Sequence, residues 1–213
     1  MTDIVKENYS FDGMYRGIVI DNNDPLKSGR IRVRIYPMFE KVRDNDLPWA
    51  IVADPSMGGF ANMGGANIPV VNAHVFCFFE NGDFRFPVYF AGAPAIQNDT
   101  SDLPTEATGA KYPNNRVYKS KNGVVVEIDD SVGDTRYKIT HPSGSSIELK
   151  NNGDVAIIVD NNQTITVTGT CTINATGTAT VNSDADVVVS AGGNASITAT
   201  GIVSISGSVV NIN

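Results

Sequence analysis

The amino-acid sequence predicts an all-β protein, with a small N-terminal barrel followed by an intertwined triple-stranded β-helix. Three observations carry this prediction. Residues 14–92 hold short strand-like runs without helical periodicity, glycine returns every eight residues near the C-terminus, and every second residue there is small or apolar. Strands place alternate side chains on opposite faces, and an internal repeat of fixed period is typical of a stacked architecture.

The barrel is predicted for residues 1–92. The strand-like runs cover residues 15–20, 29–36, 68–71, 74–79 and 87–91, and residues rich in Asp, Asn, Pro and Gly separate them. About five short strands within about eighty residues are typical of a small barrel of the OB type.

A row of arginines alternates with aliphatic residues in the second run. This alternation directs Ile31, Val33 and Ile35 inward and three arginines outward, namely Arg30, Arg32 and Arg34. OB folds often bind oligonucleotides, so the row could be a basic stripe. Acidic residues lie close by, aromatic residues cluster in apolar runs, and the net charge is −7. We therefore expect no nucleic-acid partner and interpret the row as a solvated strand face that contacts a partner subunit.

Two segments connect the barrel to the repeat. Residues 93–115 are rich in Pro, Thr, Asp and Ala and predict an extended linker. Four acids cluster in the segment that follows, residues 116–154, and we interpret them as parts of solvated faces and turns: Glu127, Asp129, Asp130 and Glu148. No paired carboxylates in a cleft are evident, so no catalytic residue is assigned.

Metal and cofactor sites are not predicted. The two histidines, His74 and His141, lie far apart and lack ligand spacing. The two cysteines, Cys77 and Cys171, stand within apolar alternations, so each is interpreted as a small buried residue without a disulfide. The N-terminus lacks an apolar signal segment, and no run of eighteen apolar residues occurs.

The octad repeat occupies residues 155–213. Its odd-numbered positions are mostly apolar or small and its even-numbered positions are mostly Thr, Ser, Asn and Asp. A glycine once per octad suits a bend that needs either a positive φ or a close approach of another backbone. The predicted interior positions are Ile165, Gly169, Ile173, Gly177, Val181, Val189, Gly193, Ile197, Gly201 and Ile205.

Three chains around one axis satisfy this repeat best. A single winding chain leaves strand edges open, and open edges aggregate. Three chains can supply strands to one another, which predicts a homotrimer and a rod of roughly 35 Å. A disordered Thr/Ser/Gly tail and an ordinary sandwich of short strands are the alternatives, although the strict spacing of aliphatic residues disfavours the tail. No Lys or Arg follows Lys150, which argues against binding to DNA or anionic lipid.

Several of these runs resemble a known family. The runs 29–36, 47–50, 68–69, 79–83 and 87–92 are similar to the OB domain of central spike proteins of contractile-tailed bacteriophages and of related type VI secretion spikes. Residues 125–154 resemble the neck of that family, which implies a β neck region over residues 116–154, and the resemblance extends over residues 14–213. It implies a trimeric virion component of the tail baseplate, with OB domains docked to a hub protein and a β-helix that pierces the host outer membrane mechanically.

The chain departs from some members of the family. Some carry a lysozyme domain near the linker, where this chain has only about twenty residues, too few for a domain. Some end in a His-x-His pattern that binds iron, which this chain lacks. The resemblance therefore implies a separate PAAR-like tip protein, docked at Val209, Val210, Ile212 and Asn213. Alternatives are a type VI secretion spike, whose longer chain and hub domains are not found here, and a tail-associated cell-wall hydrolase or sugar-binding protein.

Overall fold

The computed structural model describes residues 11–54, 59 and 63–211. Within them the fold is all-β, because helical structure is limited to a four-residue helix, α1 (Thr105–Thr108), and two 3-10 turns. The chain divides into two units, residues 1–163 and 164–213.

The first part is a closed barrel of five strands. These are β1 (Tyr15–Asp21), β2 (Ile31–Ile35), β3 (Trp49–Val52), β4 (His74–Phe79) and β5 (Pro87–Gly92), in the spatial order β1-β2-β3-β5-β4. All neighbouring pairs are antiparallel except β3 and β5, which run parallel and close the barrel. The predicted N-terminal barrel is thereby confirmed.

Strand alternation fills the barrel core. Along β2 the aliphatic residues are buried and the arginines between them are partly exposed, as the sequence predicts. The cluster that fills the core is Val19, Ile31, Val33, Ile35, Phe39, Leu47, Ala50, Val75, Cys77, Phe79 and Tyr89. His74 lies on the opposite side of β4 from the buried Val75, Cys77 and Phe79.

The segment between the barrel and the second sheet contains short elements. Strands β6 (Ile96–Gln97) and β7 (Thr100–Ser101) form a small hairpin, and α1 follows it. The helix packs on the first strand of the second sheet, where Asn115 Nδ2 donates a hydrogen bond of 3.0 Å to the carbonyl oxygen of Glu106. The segment predicted as an extended linker is thus held against the sheet by specific contacts.

The second sheet is an antiparallel meander. Its strands are β8 (Asn115–Lys119), β9 (Val125–Asp129), β10 (Arg136–Thr140), β11 (Ser146–Leu149) and β12 (Val155–Ile158), and each pairs with the next in sequence. The turns at Gly133 and Gly153 have φ values of 81° and 87°, which glycine adopts without a steric penalty. β8 and β12 are the two edges of this sheet.

Residues 164–211 are extended and regularly bent. The backbone bends at residues 168–169, 176–177, 184–185, 192–193 and 200–201, which is once per octad. No hydrogen-bonded strand pair occurs in this part of the described chain, and every side chain in it is exposed. The triple-stranded β-helix and the homotrimer therefore stay predictions.

Candidate assembly interface

The aliphatic side chains at the predicted interior positions of the octads are exposed. Ile173 is 86% exposed, and Ile165, Val181, Val189, Ile197 and Ile205 are all at least 67% exposed. Each such side chain left in water forgoes about 1.5–3 kcal/mol of burial free energy. These six side chains form a regular exposed row on odd-numbered positions of an extended chain.

The octad glycines have open space beside them. Gly169, Gly177, Gly193 and Gly201 lie at the bends, but none has a positive φ. A Cβ added at any of these four positions would meet no atom within 4 Å. The prediction of a positive φ at these glycines is therefore wrong. The other predicted reason, a close approach of another backbone, stays a prediction.

The predicted tip-docking end is only partly described. Val209 is 73% exposed and Val210 is 47% exposed. Ile212 and Asn213 lie outside the described residues.

The arginine row of β2 is engaged within the barrel. Arg30 pairs with the buried Asp24 at 2.6 Å, and this hydrogen bonding holds the pKa of the Asp24 carboxyl well below its usual range. Arg32 lies over the ring of Trp49 at 4.6 Å from its centroid. Arg34 donates to the carbonyl oxygen of Val42 at 2.8 Å and also contacts Asp44. The interpretation of a solvated row is wrong for Arg30 and Arg34, since their side chains are only 23% and 14% exposed.

Three phenylalanines lie on the outer surface of the barrel. Phe76 and Phe78 of β4 and Phe90 of β5 are half-buried, and their ring centroids lie 6.0–6.2 Å apart in two contacts through Phe90. The guanidinium of Arg16 lies 5.1 Å from the centroid of Phe76. This surface was not predicted, because the aromatic residues cluster in apolar runs, although strict alternation along β4 directs every second ring outward.

The acidic cluster of the second sheet is not a solvated face. Asp129 is fully buried and accepts a hydrogen bond of 2.5 Å from Lys111, which holds the pKa of Asp129 well below its usual range. Glu127 is 8% exposed and bonds to Asn115 at 2.9 Å and to Arg136 at 3.2 Å. The interpretation as solvated acids is wrong for these two residues. A general acid needs a raised pKa rather than a lowered one, so Asp129 is suited to a structural ion pair.

The two histidines and the two cysteines do not form a common site. His74 lies 3.8 Å from Asp102, and Nδ1 of His141 lies 2.9 Å from the Ser143 hydroxyl. Among the described residues, no group of three or more His, Cys, Asp or Glu side chains could hold a metal ion. Cys77 is buried, which raises the pKa of its thiol to about 12, whereas Cys171 is exposed, and both are free thiols.

The five-stranded barrel closed by a parallel β3–β5 pair places the N-terminal part in the class of OB-fold domains. Residues 15–93 match the family model of the type VI secretion system/phage-baseplate injector OB domain. The resemblance to baseplate spike proteins with an OB fold is confirmed over these residues, and it supports a role in a baseplate injector. A search of curated proteins found no match.

Among the described residues, no helix has the length and hydropathy needed to cross a bilayer.

Proposed function

We propose that this protein is the central spike of a contractile-tail baseplate, in which three copies join through their octad repeats. The observation that carries the proposal is the combination of an injector OB domain at residues 15–93 with a repeat that bends every eight residues and exposes its aliphatic side chains.

Trimerisation is favoured by three properties of residues 164–211. Most of their aliphatic side chains stand at odd-numbered positions, their backbone has no hydrogen-bonding partner strand within the described chain, and their glycines leave room for another backbone. Three intertwined chains meet all three demands, since each chain supplies strands to the others and buries the aliphatic positions at the axis.

The mechanical role follows from this architecture. The OB domains dock to the baseplate hub, and the rod transmits the force of contraction to the host outer membrane. Interchain strand pairing along the whole rod leaves no segment that unfolds cheaply, which provides the required rigidity. The proposal assigns no catalytic residue and no cofactor, because the work is mechanical. A separate PAAR-like tip protein caps the end that begins at Val209 and Val210.

A spike of a type VI secretion system is the second candidate. The family description names both kinds of machine, and the barrel alone serves either one. The tail-associated hydrolase or sugar-binding alternative has no such support.

Gold labelling of purified contractile particles tests the proposed function. Antibodies against the barrel should label a single position at the distal centre of the baseplate, because one trimer occupies the axis. Label on the sheath, along the tail tube, or nowhere on the particle would contradict the proposal. The kind of particle that carries the label distinguishes the two candidates. Label on phage tails supports the phage spike, and label on type VI particles supports the secretion spike.

A further inference from the structure

The two faces of the second sheet have opposite chemistry. Residues directly opposite in an antiparallel pair lie on the same face, so the strand register sorts every side chain. One face carries two aligned rows of mainly apolar residues that cross all five strands. We define the apolar face by its members Tyr118, Val126, Ile128, Tyr137, Ile139, Ile147, Leu149, Val155 and Ile157.

This chain covers the polar face at β8 and β9. The segment before β8 packs on it, where Lys111 bonds to the buried Asp129 and Lys119 pairs with Glu106 at 2.7 Å. The apolar face is left open, since Leu149 is 48% exposed, Ile157 is 57% exposed and Val155 is 63% exposed. An ordinary domain buries the apolar face of its sheet and solvates the polar one. The inverted arrangement indicates that a partner covers the apolar face.

The partner must be apolar and uncharged at its centre. The apolar face carries no charged side chain among its members. The charged residue at the end of one row is Arg116, which pairs with Asp130 at 2.8 Å. A second copy of the same face meets this demand, because apolar rows pack on apolar rows without burying an unpaired charge.

The octad period joins this face to the rod. Ile157 stands eight residues before Ile165, in the same octad position, and the backbone bends at residues 160–161, eight residues before the bend at 168–169. In the sequence, the octad repeat therefore begins within β12, and the exposed Ile157 is its first aliphatic residue at this octad position.

We infer that the apolar face of the second sheet is an interface between copies of this chain, and that the apolar interior of the trimer begins at this sheet rather than at the octads. The inference rests on the proposed trimeric spike. The segment predicted as a neck then takes part in the trimer, with the polar face and its bound linker directed away from the other copies.

Thiol accessibility in the full-length protein tests this inference. Cys171→Ala removes the exposed native thiol, and alanine already occupies the same octad position at Ala179 and Ala195. Cys77 stays, because it is buried. In this background, Leu149→Cys places a thiol on the apolar face, and Glu148→Cys is the matched control on the polar face of the same strand.

The expected result is that Leu149→Cys reacts with a maleimide at least about 100-fold more slowly than Glu148→Cys, as for a thiol that reacts only after local opening. Comparable rates in protein with the mass of a trimer would overturn the inference while leaving the trimer intact. Protein with the mass of a single chain would instead contradict the proposed function. Should either variant fail to fold, Tyr137→Cys and Lys138→Cys provide the same comparison on β10.

Discussion

At the scale of single residues, Gly17 explains how tightly the barrel packs. A Cβ at this position of β1 would lie 2.3 Å from Cγ1 of Val33 and 3.1 Å from the carbonyl oxygen of Arg34. A contact of 2.3 Å is far inside the van der Waals limit, and Val33 is itself fully packed in the core. Any side chain at Gly17 must therefore displace the neighbouring strand.

Gly17→Ala should lower the free energy of unfolding of the barrel by about 1–3 kcal/mol, the usual cost of an overpacked core. Trp49, the single tryptophan, lies in β3 and makes its fluorescence a specific reporter of the barrel during urea unfolding. Gly92→Ala is the matched control, because a Cβ there meets nothing within 4 Å. Equal stability of the two variants would contradict the packing argument.

The sequence predicts a residue's environment where the alternation of one strand decides it. The burial of Ile31, Val33 and Ile35 follows from that alternation alone. The burial of Asp129 does not, because its cover comes from Lys111, eighteen residues away in a segment without periodicity. Contacts of this kind depend on how a loop packs, and no local pattern encodes them.

At the scale of elements, the octad period is the most informative signal of the sequence. It predicts bends at eight-residue intervals, and the backbone of residues 164–211 bends at these intervals. The sequence alone does not decide whether the glycines serve a positive φ or a close approach of another backbone. The structure excludes a positive φ at the four octad glycines. The hairpin and α1 of the linker were likewise unpredicted, because elements of two to four residues are too short to leave a periodic pattern.

Ile173→Asp should abolish assembly, because three carboxylates would meet at one level of an apolar axis without partners. The neighbouring Thr172→Asp places the same charge on the outer face and should leave the trimer intact. Sedimentation of the two variants at equal concentration provides the comparison. If both variants assembled, or neither did, the assignment of odd positions to the interior would be wrong.

At the scale of the whole molecule, the chain combines a barrel that has its own buried core with a repeat that has none. The barrel matches the family model of the injector OB domain over residues 15–93. Residues 164–211 bury nothing by themselves, as their uniform exposure indicates. In the proposed trimer, these residues obtain their hydrogen bonds and their core from the other copies.

The mass of the purified protein in solution tests the central claim most directly. Light scattering coupled to size exclusion should give three times the chain mass of 22.7 kDa, without dissociation on dilution to low micromolar concentration. A species with the mass of one chain would contradict the trimeric spike.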